Sequence, residues 1–181
     1  MKYFLFAMSI FTFLSCTNVN SAQEDIRSDF THEEQKIINL SKEIIKETYF
    51  ATLITVDKNG QPRARVMEPF EPDNNFIIWL ATNPKSRKVA QLKNNSRATL
   101  HYFDKNDLGY VSLMGNAFLI NDEVIKSKKF KDGWHKFYKN QKEDYLLIKF
   151  IPKTLELISI PNEFTGDSLT WKPHQVQLRI N

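Results

Sequence analysis

The chain has 181 residues, a formal net charge of +4, 13% aromatic residues and a single cysteine. That length allows one domain with a sizeable core, so mild a charge makes no demand for nucleic acid, and one cysteine excludes an internal disulfide framework. His32, His101, His135 and His174 are scattered, and neither a Gly-x-Ser-x-Gly elbow nor a Walker loop is present. Metal, hydrolase and nucleoside-triphosphatase chemistries therefore have no starting motif.

Residues 1–16 resemble a bacterial lipoprotein signal peptide, with Lys2 at the positive start, an apolar stretch over 3–14, and Ser15 before Cys16. The apolar stretch is well short of the roughly 20 residues that span a bilayer as a helix. Cleavage before Cys16 would leave that residue lipidated and take its thiol out of redox or metal chemistry, with several acyl chains giving a stable anchor. An ordinary secretory cut after Ala22 is the alternative. Residues 17–30 read as a polar tether, 31–160 as the folded domain and 161–181 as a C-terminal tail.

Thr31-His32-Glu33-Glu34 has the form of a capping box, and Ile37, Ile38, Leu40, Ile44 and Ile45 recur at helical spacing, which predicts a helix ending near Thr48. Short strands then follow, over 50–56 and 62–70 around a hairpin turn at Asp57-Lys58-Asn59-Gly60, and over 76–82 after the turn at Pro72-Asp73-Asn74-Asn75. A helix is expected over 86–95, then a strand pair over 97–103 and 110–120, with Gly115 marking a bulge or a close backbone approach. Residues 122–138 read as one basic helix with its aromatic side, Phe130, Trp134, Phe137 and Tyr138, packed on a core. The last stretch, 145–160, gives one or two strands interrupted at Pro152. The fold class is mainly β (α+β), a six-stranded split barrel with peripheral helices.

One stretch carries chemistry. A strand of β-formers ends in Thr82 and Asn83, Pro84 closes it, and Ser86 opens the next helix with Arg87 and Lys88 in its first turn. The helix macrodipole is already positive there, so acidic side chains are favoured and cations are mismatched. A phosphate on the helix N-terminus removes the mismatch, because Ser86, Arg87, Lys88 and the free amides then serve one dianion, with Arg65 one strand back closing the ring. The plainer alternative makes Ser86 an ordinary N-cap beside solvated basic residues. Arg63 alternates with Arg65 along the strand, so either could face the phosphate.

These pieces resemble the FMN-binding split barrel of the pyridoxamine 5'-phosphate oxidase superfamily, in particular its general stress protein branch. The likeness rests on Asn59-Gly60-Gln61-Pro62, Arg63-Ala64-Arg65-Val66-Met67, Thr82 to Lys88 with Val89-Ala90-Gln91-Leu92, and Tyr110-Val111-Ser112-Leu113-Met114-Gly115-Asn116-Ala117. It implies that Arg65, Ser86, Arg87 and Lys88 hold the FMN phosphate. Val66 and Met67 would present strand backbone to the ring edge, and Thr82 and Asn83 would reach ring or ribityl oxygens. It also implies a homodimer with the flavin at the two-fold interface, to which the second copy contributes Ser112 and Trp171. The vitamin B6 oxidases hold substrate with a lysine shortly after the first arginine and a C-terminal Arg-x-His; here Phe70 takes the approximate lysine position and the Arg-x-His is missing. The resemblance therefore implies a flavin-dependent oxidoreductase of small molecules rather than a B6 oxidase, or else a protein that binds or senses a flavin or small anion without turnover.

Overall fold

The computed structural model describes residues 30–178. The signal peptide, Cys16 and nearly all of the tether lie outside the described residues. Helix α1, His32–Thr48, begins with a reciprocal capping box: the Thr31 N–H donates to Glu34 Oε2 at 2.8 Å and the Glu34 N–H donates to Thr31 Oγ1 at 3.2 Å. It buries Ile37, Ile38, Ile44 and Ile45 against the barrel. It stops at Tyr49, whose φ of 62° and ψ of −48° form a γ-turn closed by the Phe50 N–H on Thr48 O at 2.7 Å.

Strands β1 (Ala51–Val56) and β2 (Pro62–Met67) form the expected hairpin, with Asp57 Oδ1 accepting the N–H groups of Asn59 and Gln61 and Gly60 at a φ of 81°. The remaining elements are β3 (Ile78–Thr82), α2 (Arg87–Asn94), β4 (Arg97–Asp104), β5 (Gly109–Ile120), α3 (Glu123–Lys128), α4 (Gln141–Asp144), β6 (Leu146–Ile158) and β7 (His174–Gln177). The sheet is antiparallel in the order β2-β1-β4-β5-β6-β3, with β7 on β6 beside β3. It curls and meets itself through a bridge between Pro69 and Leu80, where the Phe70 N–H donates to Trp79 O at 2.8 Å. Among the described residues β2 and β3 do not otherwise pair with each other, which leaves the seam of a split barrel.

Register places the side chains. The row Arg65–Leu53–Leu100–Leu113–Leu155–Val176 faces inward, and its five apolar members are fully buried. The neighbouring row, Val66–Thr52–His101–Ser112–Glu156–Gln175, faces outward. Strand β3 is buried at every residue because Ile78 and Leu80 join the barrel core while Trp79 and Ala81 join a second, outer cluster with Trp134, Tyr145 and Leu147.

Several expectations need correction. β2 stops at Met67 rather than running to 70, since Pro69 has no N–H to donate and serves as the bridge instead. β3 starts at Ile78, because Asp73 organises the preceding turn and Phe76 sits at a φ of 59°. β6 continues through Pro152, and the ladder absorbs the missing donor in a register shift between Met114 and Gly115. A Cβ on Gly115 would lie 2.1 Å from Ile151 O, so the close approach expected there is real.

The long basic helix over 122–138 is replaced by α3, a single 3₁₀ turn Trp134–Lys136 and α4. α3 ends at Lys128, and Gly133, at a φ of 85°, opens the separate 3₁₀ turn, while Phe130, Trp134 and Tyr138 still pack on the outer cluster. Lys126 is only 3% exposed, its ammonium donating to Asn121 Oδ1 and Glu123 Oε1, so the basic run is not wholly a wet face. Nor is everything after 160 a tail, since β7 completes the sheet; its one inward apolar residue, Val176, is too little for a pattern to announce. No helix among the described residues is long and apolar enough to cross a membrane.

Candidate functional site

The seam is where the chemistry collects. Continuing the Pro69–Leu80 register along the open strands sets Met67 opposite Thr82 and Arg65 opposite Pro84, just before α2. Arg65 points inward at the end of the core row. Its guanidinium donates to Thr55 Oγ1 at 2.7 Å, to Leu53 O at 3.2 Å and to Gln91 Oε1 at 2.8 Å. Gln91 Oε1 also accepts the Thr55 hydroxyl at 2.6 Å, so one carboxamide from α2 ties the arginine to the neighbouring strand.

At the start of α2 the N-cap serine does not cap. Ser86 Oγ is 2.9 Å from Thr82 Oγ1, which in turn accepts Lys88 Nζ at 3.1 Å, and no acidic side chain lies in the first turn. The helix N-terminus thus presents uncapped N–H groups beside Arg87 and Lys88. Asn83 Oδ1 accepts the Lys85 N–H at 2.8 Å and shapes the turn that delivers the helix.

Among the described residues no carboxylate forms an ion pair with Arg65, Arg87 or Lys88. Burial and then Arg87 pull the Arg65 guanidinium below its ordinary value, and Lys88 is lowered by burial and then by Arg65 and Arg87. Each cation raises the cost of charging its neighbours, so an anion placed among them relieves desolvation and mutual repulsion together. Two hydroxyls, a helix N-terminus and clustered cations make a fitting cradle for a phosphate.

Arg65, Thr82, Ser86, Arg87 and Lys88 are therefore brought together. Arg63 is not: it is half exposed, and its Nε donates to Asp57 Oδ2 at 2.9 Å in the hairpin turn. Met67 leans on the core, whereas Val66 is 70% exposed on the outer face. Ser112 shares that outer row, its hydroxyl 2.7 Å from His101 Nδ1, and so faces away from its own chain's cluster. Trp171 lies beyond the sheet, 83% exposed with a φ of 58°. Sequence reasoning missed Thr55 and Gln91 as partners of Arg65. Thr55 could have been noticed, being polar in the inward phase of β1 shared by Ala51 and Leu53.

The family description for pyridoxamine 5'-phosphate oxidase matches residues 39–159. Among solved structures, a protein related to general stress protein 26 from Clostridium acetobutylicum is similar at 22% identity with a TM-score of 0.66, over 80% of this chain and 96% of that one. General stress protein 26 from Bacillus anthracis is similar at 25% identity with a TM-score of 0.61, over 82% of this chain and all of the other. A pyridoxamine 5'-phosphate oxidase-related, FMN-binding protein from Nostoc punctiforme has the same fold at 13% identity and a TM-score of 0.58, over 83% of this chain and 99% of that one. No curated protein matches the sequence.

Proposed function

The chain belongs to the pyridoxamine 5'-phosphate oxidase family, and from that premise we propose that it is an FMN-binding flavoprotein that oxidises or reduces a small molecule as an envelope-anchored homodimer. The observation that carries the reading is the cation cluster at the seam, where Arg65, Arg87 and Lys88 converge with the Thr82 and Ser86 hydroxyls on an uncapped helix start. Arg65 and the 86–88 turn would hold the phosphate, and the open edge of β2 at Val66 and Met67 would meet the ring. When bound, the flavin would supply hydride or electron transfer, while the chain's own residues bind, orient and exclude water.

A second copy would cover the outer sheet face. In support, Val66 and Phe103 are exposed there, and Ser112 is turned away from the cluster of its own chain. Only from another copy could Ser112 come near a flavin.

An absorption spectrum of the domain purified with and without added FMN, followed by anaerobic titration with a nicotinamide reductant, tests the reading. Flavin bands that bleach and return in air are expected. A haem spectrum, or no flavin binding at all, would overturn it, and bound flavin that no donor reduces would leave a flavin carrier or sensor.

Binding should also report on Lys88. A bound dianion restores the lysine from its depressed value toward the ordinary 10.5, so protons are taken up on binding at alkaline pH. FMN affinity is then expected to fall as pH rises through the depressed value, which titrations in buffers of different ionisation enthalpy would register. A flat alkaline profile would exclude Lys88 from the site. For the anchor, Cys16→Ser is expected to move the full-length protein from the membrane fraction to the soluble one, and retention in the membrane would refute the lipidation.

A further inference from the structure

We propose that a cavity of about 410 Å³ between the end of α1, the turn after β2 and the residues following α3 is a binding site for a small organic monoanion, a carboxylate on a flat apolar body. None of its lining residues belongs to the cation cluster at the seam. The inference therefore stands whether or not a flavin binds.

The ammonium groups at the cavity differ in how far they are satisfied. Lys131 Nζ is 3.1 Å from Glu68 Oε1 and donates to Pro69 O at 2.8 Å, with the Tyr49 ring 4.8 Å away. The same Glu68 carboxylate accepts the Tyr49 hydroxyl and, at 3.0 Å, the Trp134 indole N–H. Burial would raise the Glu68 pKa, but these donors outweigh it and hold the carboxyl below its ordinary value. Glu68 thus already serves three donors, none of them a second amine.

That second amine is Lys129. Its ammonium sits 5.4 Å from the Phe70 ring centre and 5.3 Å from that of Trp79, and among the described residues it has no carboxylate partner. Ring faces offset part of the cost of partial burial, but they do not replace a counter-ion. Its backbone is fixed at both ends, the N–H donating to Ile125 O at 3.1 Å and the carbonyl accepting the Tyr145 hydroxyl, which sets the point from which the side chain reaches the rings.

The rest of the cavity sets the ligand class. Ile45, Pro69 and Phe70 give an apolar floor, and the volume lies in the range of small-molecule sites, about 300–1,000 Å³. Lys46 and Glu71, one of each sign, also line the cavity. A phosphate is disfavoured, because neither an arginine fork nor a helix N-terminus lines the cavity. A single carboxylate on Lys129, with its body against Phe70, fits what remains. The γ-turn at Tyr49 points the same way, since it spends backbone strain to carry that side chain to the cavity wall.

The test titrates benzoate into the protein in the absence of flavin, read by isothermal calorimetry and by the fluorescence of Trp79 and Trp134. Saturable binding is expected, with Lys129→Met weakening it by about tenfold or more, Lys129→Arg retaining it, and inorganic phosphate failing to compete. Arg87→Ala with Lys88→Ala should leave benzoate binding unchanged, which separates this site from the flavin site. Absence of saturable benzoate binding to the unaltered protein, equal binding by a folded Lys129→Met variant, or full competition by phosphate would each overturn the proposal.

Discussion

Replacing Arg87 and Lys88 together by alanine is expected to cost FMN nearly all of its affinity while leaving riboflavin binding and the fold in place. Each lost charge-assisted contact to a phosphate is worth about 1.5–3 kcal/mol, so the pair is worth about 3–6 kcal/mol, a factor on the order of 10² to 10⁴. The fold should not suffer, because these cations burden the structure without their anion: Lys88 is lowered by burial, Arg65 and Arg87. An unfolding midpoint equal to or above the parent's is expected. Fluorescence titration with FMN and with riboflavin reads both halves at once. Unchanged FMN affinity would remove the phosphate from the start of α2.

The second large effect comes from a change that preserves shape. Gln91→Glu keeps the bonds to Arg65 and Thr55 and converts that to Arg65 into an ion pair, so the resting structure should become firmer. It also places a carboxylate behind the cluster. At an effective dielectric of about 20 such a charge opposes a nearby phosphate by about 1–3 kcal/mol, and FMN affinity should fall accordingly with riboflavin spared. A neutral glutamine orients the arginine without spending its charge. Were Gln91→Glu to bind FMN as tightly as the parent, the carboxamide would be a packing group only.

The cluster was legible because it broke a local rule. Cations at a helix start are a poor choice on their own account, and the structure keeps Arg87 and Lys88 there with Ser86 turned from capping to pair with Thr82. The capping box at Thr31, the hairpin at Asp57 and the close approach at Gly115 were legible for the converse reason, each being a local device with a fixed residue requirement. What could not be read was long-range. Arg63 and Arg65 share a strand face, and only the hairpin aspartate and the distant Gln91 decide that one turns away and the other inward. The basic run failed as a single helix because its lysines are drawn to partners far along the chain, Lys131 to Glu68 and Lys129 to Trp79. Strand β7 was hidden because it pairs with the half of β6's edge that β3 leaves free, a partner that no local pattern announces.

The unpaired length of β2 carries a consequence for the chain as a solute. A sheet edge with open N–H and C=O groups is a template for any passing strand, and β-proteins that leave one exposed risk growing into aggregates. Here the edge begins with a proline and bears two guanidinium groups within six residues. An incoming strand would have to lie against both charges, breaking the contact of Arg63 with Asp57 or crowding Arg65 from its place beside Gln91. Arg63, outside the cation cluster, is thereby placed to guard the edge, leaving the seam open to a small molecule while hindering a strand from pairing along β2.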